Sequence, residues 1–182
     1  MHRTRFIVAA LLVAAVTTSG AVVRAVEIIP SLGVTKSTDT NAGDAKAFGG
    51  LAVRFPVLPF LKLEGGIGYR QDSFGGGDVT MRQWPMTASA WATPLPMVYA
   101  GGGFGWYRTS YDYRSGLPFE DSTTLTTGVH LGGGVNVPVA PKLSLDLSGR
   151  YIFMQKGNDA AQLPTSFNPD FWSLSLGLAI HL

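Results

Sequence analysis

The sequence predicts an all-β chain: an eight-stranded antiparallel up-and-down transmembrane β-barrel. Three observations lead there. Residues 170–182 (DFWSLSLGLAIHL) place Trp172, Leu174, Leu176, Leu178, Ile180 and Leu182 on one face at period two, and Ser173, Ser175, Gly177, Ala179 and His181 on the other. Such alternation marks a strand with one apolar face. The connections alternate strictly between short proline-marked turns and generally longer polar stretches, as in a barrel with both termini at the same end. The mean hydropathy is +0.18, yet after residue 25 no apolar run approaches the ~20 residues of a spanning helix.

The two ends bound the domain. Residues 1–25 read as a cleaved export signal. His2, Arg3 and Arg5 precede the apolar run Phe6–Val16, and Val23 and Ala25 supply the short residues a signal peptidase reads. Cleavage after Ala21, with Ser19 as the other small residue, is the alternative. Residues 26–182 then form one barrel domain. With Arg3, Arg5 and Arg24 removed, Lys+Arg falls from 14 to 11 against 12 Asp+Glu, and the net charge moves from +2 to −1. The whole-chain pI of 9.0 is therefore no sign of nucleic-acid binding, and no basic cluster supports such a partner. Cysteine is absent, which excludes disulfides, thiolate metal sites and a cysteine nucleophile.

Each strand follows from its alternation. Strand one covers about 27–36 and runs into the polar connection 37–45. Strand two, 47–56, turns Arg54 inward and Phe55 outward before the turn 56–59. Strand three, 61–71, follows Phe60 and opens Leu61-Lys62-Leu63-Glu64, so Lys62, Glu64 and Arg70 share the inner phase and Tyr69 faces out. The polar connection 72–78 leads to strand four, 79–92, with Trp84 outward. After the turn 93–96, strand five, 97–109, points Phe104 and Trp106 outward. A connection at 110–122, carrying Tyr111, Tyr113, Leu117 and Phe119, precedes strand six, 123–137, whose His130 and Asn136 face inward. The turn 138–141 leads to strand seven, 142–155, with Asp146 and Arg150 inside and Tyr151 and Phe153 outside. Connection 156–170 precedes strand eight, 171–182, with Trp172 outward. Glycine, 23 of 182 residues, exceeds the usual ~7 per cent. It falls inside several strands, where it permits the bends and close packing of a small barrel wall.

The two phases imply two functions for their side chains. Phe55 and Phe60 stand near the short turns, and Tyr69, Trp84, Phe104, Trp106, Tyr151, Phe153 and Trp172 near the long connections, as two aromatic girdles at the membrane boundaries. Arg54, Lys62, Glu64, Arg70, His130, Asp146 and Arg150 belong inside as an ionic network. An outward Arg or Lys would cost ~2–4 kcal/mol at midplane. An eight-stranded interior is just wide enough for side chains to fill, so a plugged lumen is expected, with the network as a candidate gate.

The whole span 26–182 resembles the outer-membrane β-barrel domain family, the small barrels of Gram-negative bacteria. Gly177, Ile180 and Leu182 stand where that family carries a glycine and two hydrophobic residues, usually aromatic, that present the chain end to the barrel-assembly machinery. Both are aliphatic here. The resemblance implies the outer membrane as location, its lipids and lipopolysaccharide as partners, and a monomer. Some barrels of this shape are lipid A deacylases with a serine two residues after their histidine. Gly132 stands there after His130, so no catalytic residue is assigned. Two histidines on separate strands lack the spacing of a zinc site, and no metal or cofactor is assigned. The expected function is a non-enzymatic structural or envelope-interaction protein with exposed outer loops. The alternative is a minor, porin-like channel or transporter for small hydrophobic molecules. A soluble lipocalin-like barrel is disfavoured because its outward aliphatic residues would lie in water.

Overall fold

A computed structural model describes residues 26–39, 44–74, 79–113, 122–155 and 169–182. The expected signal segment lies outside the described residues, as do loop positions Gly75, Gly76, Gly77, Asp78, Leu117, Phe119, Glu120, Asp121 and Asp159. Eight strands follow in order: β1 (Glu27–Ser37), β2 (Lys46–Leu58), β3 (Leu61–Phe74), β4 (Val79–Leu95), β5 (Val98–Tyr113), β6 (Ser122–Ala140), β7 (Leu143–Met154) and β8 (Phe171–His181). Each pairs antiparallel with its sequence neighbour, and β8 closes on β1.

β1 to β6 are longer than their alternation suggests and β7 and β8 slightly shorter, and proline is the reason β2, β4 and β6 extend at the short-turn end. The hairpins turn on Pro59-Phe60, Pro96-Met97 and Pro141-Lys142, so Pro56, Pro94 and Pro138 lie within strands instead of in the turns. The register shifts beside them, between Pro56 and Leu58, Ala92 and Leu95, and Pro138 and Ala140. Proline has no N–H to give the ladder, and a bulge lets the strand continue past it. At the other end β3, β5 and β6 extend into the stretches read as loops. β4, β5 and β6 reach 17, 16 and 19 residues, well beyond the ~9–11 that cross a bilayer.

The register also fixes the barrel's tilt. Stepping once around from Glu27 passes Arg54, Glu64, Ser89, Gly103, His130, Ile152 and Phe171, and returns to β1 at Ser37, ten residues higher. Eight strands with that stagger tilt by about 40° from the axis. The side chains on this spiral face inward and climb from Glu27 at the short-turn end to Phe171 nearer the long connections, so the spiral orders the interior side chains by height.

The two faces invert the usual arrangement of a globular protein. Leu32, Ile67, Phe104, Leu131, Leu147 and Leu176 are exposed on the outer wall, whereas Arg54, Glu64, Arg70, His130 and Asp146 are buried inside. Large interior rings lie against glycine on the neighbouring strands. A Cβ added to Gly134 would meet the Tyr99 hydroxyl at 2.5 Å, and one at Gly128 would meet the Tyr107 ring at 3.2 Å. Glycine at these positions makes room for the rings that fill the narrow lumen.

Candidate functional site: the ionic plug and the chamber above it

The lower lumen is crossed by a charge cluster centred on Arg54. Its side chain is 1% exposed. Nε and Nη2 donate to Glu64 Oε2 at 2.9 and 2.7 Å, and Nη1 donates to Asp146 Oδ2 at 2.9 Å and to Glu27 Oε2 at 3.5 Å. Lys62 Nζ donates to Glu27 Oε1 at 2.6 Å, and Arg150 Nη2 donates to Glu64 Oε1 at 2.7 Å. Tyr99 Oη and Asn136 Nδ2 complete the shell of Asp146 at 2.7 and 3.2 Å. Rings lie under two of the cations: Arg54 over Tyr99 at 4.4 Å, and Arg150 over Trp91 at 5.1 Å. The cluster joins β1, β2, β3, β5, β6 and β7, with three cations facing three carboxylates. Buried charge is tolerable when geometry and hydrogen bonding are this complete.

A second layer of side chains crosses the upper lumen. Arg70 Nε donates to Gln83 Oε1 at 2.8 Å, and Gln83 Nε2 donates to Thr109 Oγ1 at 2.8 Å. The Arg70 guanidinium lies 3.7 Å above the Phe171 ring, which meets Tyr107 edge-on at 6.1 Å. Ile152 packs into the same group.

Between the layers lies a chamber of about 70 Å³. Its floor includes Arg54, Glu64 and Arg150, its roof Tyr107, Ile152 and Phe171, and its sides small residues such as Ser31, Gly66, Ser173 and Ser175. His130 lines it, with Nε2 2.9 Å from Ser89 Oγ. Serine and imidazole at that distance have the form of a nucleophile–base pair, but Nδ1 of His130 has no protein partner. An orienting acid is thus lacking from the arrangement such chemistry needs, and both residues face the lumen. Among the described residues, no group of three or more His, Asp or Glu is placed to hold a metal.

The structure thus brings together Arg54, Lys62, Glu64, Asp146 and Arg150, places Arg70 in the upper layer, and leaves His130 between the two. Sequence reasoning missed Glu27, Tyr99, Trp91 and Gln83. Glu27 precedes Ile28 and Ile29, which blurs the alternation where its phase would be read. Tyr99 and Trp91 fall on the inner phase, opposite Trp106 and Trp84, but only the closed barrel shows that they meet Arg54 and Arg150.

On the outer wall, Phe55, Phe60, Tyr69, Trp84, Phe104, Trp106 and Phe153 are exposed, and Tyr151 and Trp172 are half-buried. Tyr69 packs on Trp84 at 5.4 Å, Phe104 on Trp106 at 5.1 Å and Tyr151 on Phe153 at 4.7 Å. At the chain end Gly177 is buried, Ile180 pairs with Ile28 and Leu143, and Leu182 N donates to Val26 O at 3.0 Å.

Residues 6–179 match the family model for the outer membrane protein beta-barrel domain. Among solved structures, Neisserial surface protein A superposes with a TM-score of 0.68 at 19% identity, covering 86% of this chain and 97% of that one. Ail, the attachment invasion locus protein of Yersinia pestis, in complex with the heparin analogue sucrose octasulfate, gives 0.60 at 12%, covering 88% and 100%. OprG of Pseudomonas aeruginosa gives 0.59 at 13%, covering 87% and 97%. No curated protein sequence matches the chain.

Proposed function

This chain belongs to the outer membrane protein beta-barrel domain family, and on that premise we propose that it is a non-enzymatic anchor and interaction protein of the outer membrane. The barrel holds the long connections at the outer surface, where they contact envelope lipids, lipopolysaccharide or an external partner. Gly177, Ile180 and Leu182 present the finished strand to the barrel-assembly machinery, and the protein works as a monomer. The observation that carries this reading is Arg54, held by Glu27, Glu64 and Asp146 across the lumen. A lumen cross-braced by ion pairs supports an anchor better than a conduit. One structural neighbour is an attachment invasion locus protein solved with a heparin analogue. That is a property of Ail, and it makes external contact the activity to test first here.

The test expresses the full chain in a Gram-negative host. Recovery in the outer membrane with a heat-dependent gel shift is expected, followed by surface binding that is lost when the outer loops are exchanged. Planar bilayers carry the competing channel reading. The expected trace is closed for wild type; steady conductance, or uptake of small hydrophobic molecules, would replace the anchor with a transporter. A gating function for the cluster requires Glu64→Ala to differ from wild type in those recordings.

A further inference from the structure

We propose that the outer wall of β3, β4 and β5 carries a binding site for one phosphorylated glycolipid of the outer leaflet, with Arg82 and Arg108 holding its headgroup phosphate. Among the described residues, the outer phase of the eight strands holds three cations and one carboxylate: Lys36, Arg82, Arg108 and Asp112. Two of the cations stand together. Arg82 lies opposite Ser110, and Arg108 lies two residues along, opposite Trp84. Such diagonal neighbours sit about 7–8 Å apart across an antiparallel pair. Both guanidinium groups therefore reach one phosphate, the anion their fork geometry suits. Arg82 Nη2 lies 3.0 Å from Asp112 Oδ2, with the two side chains 48% and 34% exposed. An ion pair this open is weak and leaves Arg82 able to take a second acceptor. Arg108 is exposed and makes no ion pair among the described residues.

The surroundings match the rest of such a lipid. Each arginine stands two residues beyond a girdle tryptophan on its own strand, Arg82 beyond Trp84 and Arg108 beyond Trp106. In a tilted wall that sets them about 5 Å above the rings, at headgroup level. A polar band continues to either side: Tyr69 Oη donates to Gln71 Oε1 at 3.1 Å beside Arg82, and the Ser110 and Thr123 hydroxyls share a hydrogen bond of 2.9 Å. Hydroxyls and an amide suit a sugar. Below the rings, Ile67, Met86 and Phe104 are exposed and suit acyl chains. The outer faces of β7 and β8 carry no charge, so a phosphate has no comparable anchor there. The site also lies over a break in the wall. The β3–β4 ladder passes from Ile67–Met86 to Arg70–Gln83 and omits Gly68 and Tyr69 opposite Pro85 and Trp84, because proline has no N–H to give. Acyl chains running down from Arg82 cover that break, so occupancy stabilises the barrel.

A site for an outer-leaflet lipid rests on the outer-membrane reading above, and the two fail differently. A chain absent from outer membranes, or without the heat-dependent gel shift, sinks both. A folded barrel is then taken in mild detergent with a chelator and titrated, under native mass spectrometry, with phosphorylated lipid A and with the same lipid stripped of phosphate. The expected result is one phosphorylated lipid retained per barrel, at least about tenfold more tightly than the stripped one, and a gel shift that survives to a higher temperature when it is bound. Equal retention of the two lipids overturns the site and leaves the outer-membrane reading intact. Arg82→Gln with Arg108→Gln is expected to keep the gel shift and lose the preference, whereas Lys36→Gln, beside Trp172 on the far wall, keeps both. If the double variant does not fold, Arg108→Gln alone must weaken the preference; a preference unchanged in whichever variant folds places the phosphate elsewhere. Millimolar inorganic phosphate is expected to leave the lipid bound. Displacement by it would make a free anion the occupant, and loss of the lipid to the chelator would make a bridging cation the anchor; either overturns the proposal.

Discussion

At the scale of single residues, the interior is organised by which charge has substitutes. Arg54 serves three carboxylates from three strands, so Arg54→Ala leaves Glu27, Glu64 and Asp146 without their shared cation. Removing one partner of a buried ion pair costs about 3–5 kcal/mol, and that loss is expected here. Lys62 pairs with Glu27 alone and its side chain is 21% exposed; for Lys62→Ala, solvent screening reduces the expected loss to below ~1 kcal/mol. Urea unfolding in lipid vesicles, followed by tryptophan fluorescence, measures both. Equal losses would show that the cluster does not depend on Arg54. Gly134→Ala tests the same packing from the wall. Its Cβ would displace the Tyr99 hydroxyl from Asp146, and overpacking of this kind costs about 1–3 kcal/mol. The double variant with Tyr99→Phe is expected to recover none of it, because the added Cβ still meets the Leu147 carbonyl oxygen and lies 2.6 Å from the ring Cζ.

At the scale of the strand, one residue of phase separates lipid from lumen. Leu176 is exposed on the outer wall of β8 and its neighbour Ser175 lines the chamber. Leu176→Arg places a guanidinium against acyl chains and is expected to cost ~2–4 kcal/mol, read from the unfolding midpoint in vesicles. A loss below ~1 kcal/mol would place Leu176 near the interface instead, where the same scale falls toward zero. This phase was legible in the sequence because period two needs no partner strand: β8, the outward aromatics and inward Arg54, Glu64 and Asp146 follow from alternation alone. The cross-lumen partners were not legible. Arg54 meets Glu64 through the neighbouring ladder, but it meets Asp146 only because the wall closes with a ten-residue stagger. Alternation carries no information on stagger. The bulges beside Pro56, Pro94 and Pro138 escaped for a related reason: proline reads as a turn, and only the register shows a strand running past it.

At the scale of the whole molecule, closure is the property from which the others follow, and the β1–β8 seam is where it is made. The seam pairs Glu27 with His181 and Ile28 with Ile180, then resumes from Ser31 with Gly177. The gap falls at Ile29 and Pro30, where proline has no N–H to give. Gly177 borders that gap, and a Cβ there would meet Ile29 Cγ2 at 2.8 Å and the Pro30 carbonyl oxygen at 3.1 Å. Gly177→Val therefore pushes β8 away from β1 at the seam's weakest point. An opened seam exposes unpaired N–H and C=O groups to hydrocarbon, at several kcal/mol each, so the whole wall should fail together. The expected outcome is a heat-dependent gel shift that survives at room temperature but disappears at a lower temperature than in wild type. Gly65→Val is the control, since a Cβ there meets nothing within 4 Å and Gly65 lies away from the seam. If both variants lose the shift at the same temperature, the seam has no special weakness and closure is distributed evenly around the barrel. If only Gly177→Val does, the last strand is both the final piece of the wall and the first to leave it.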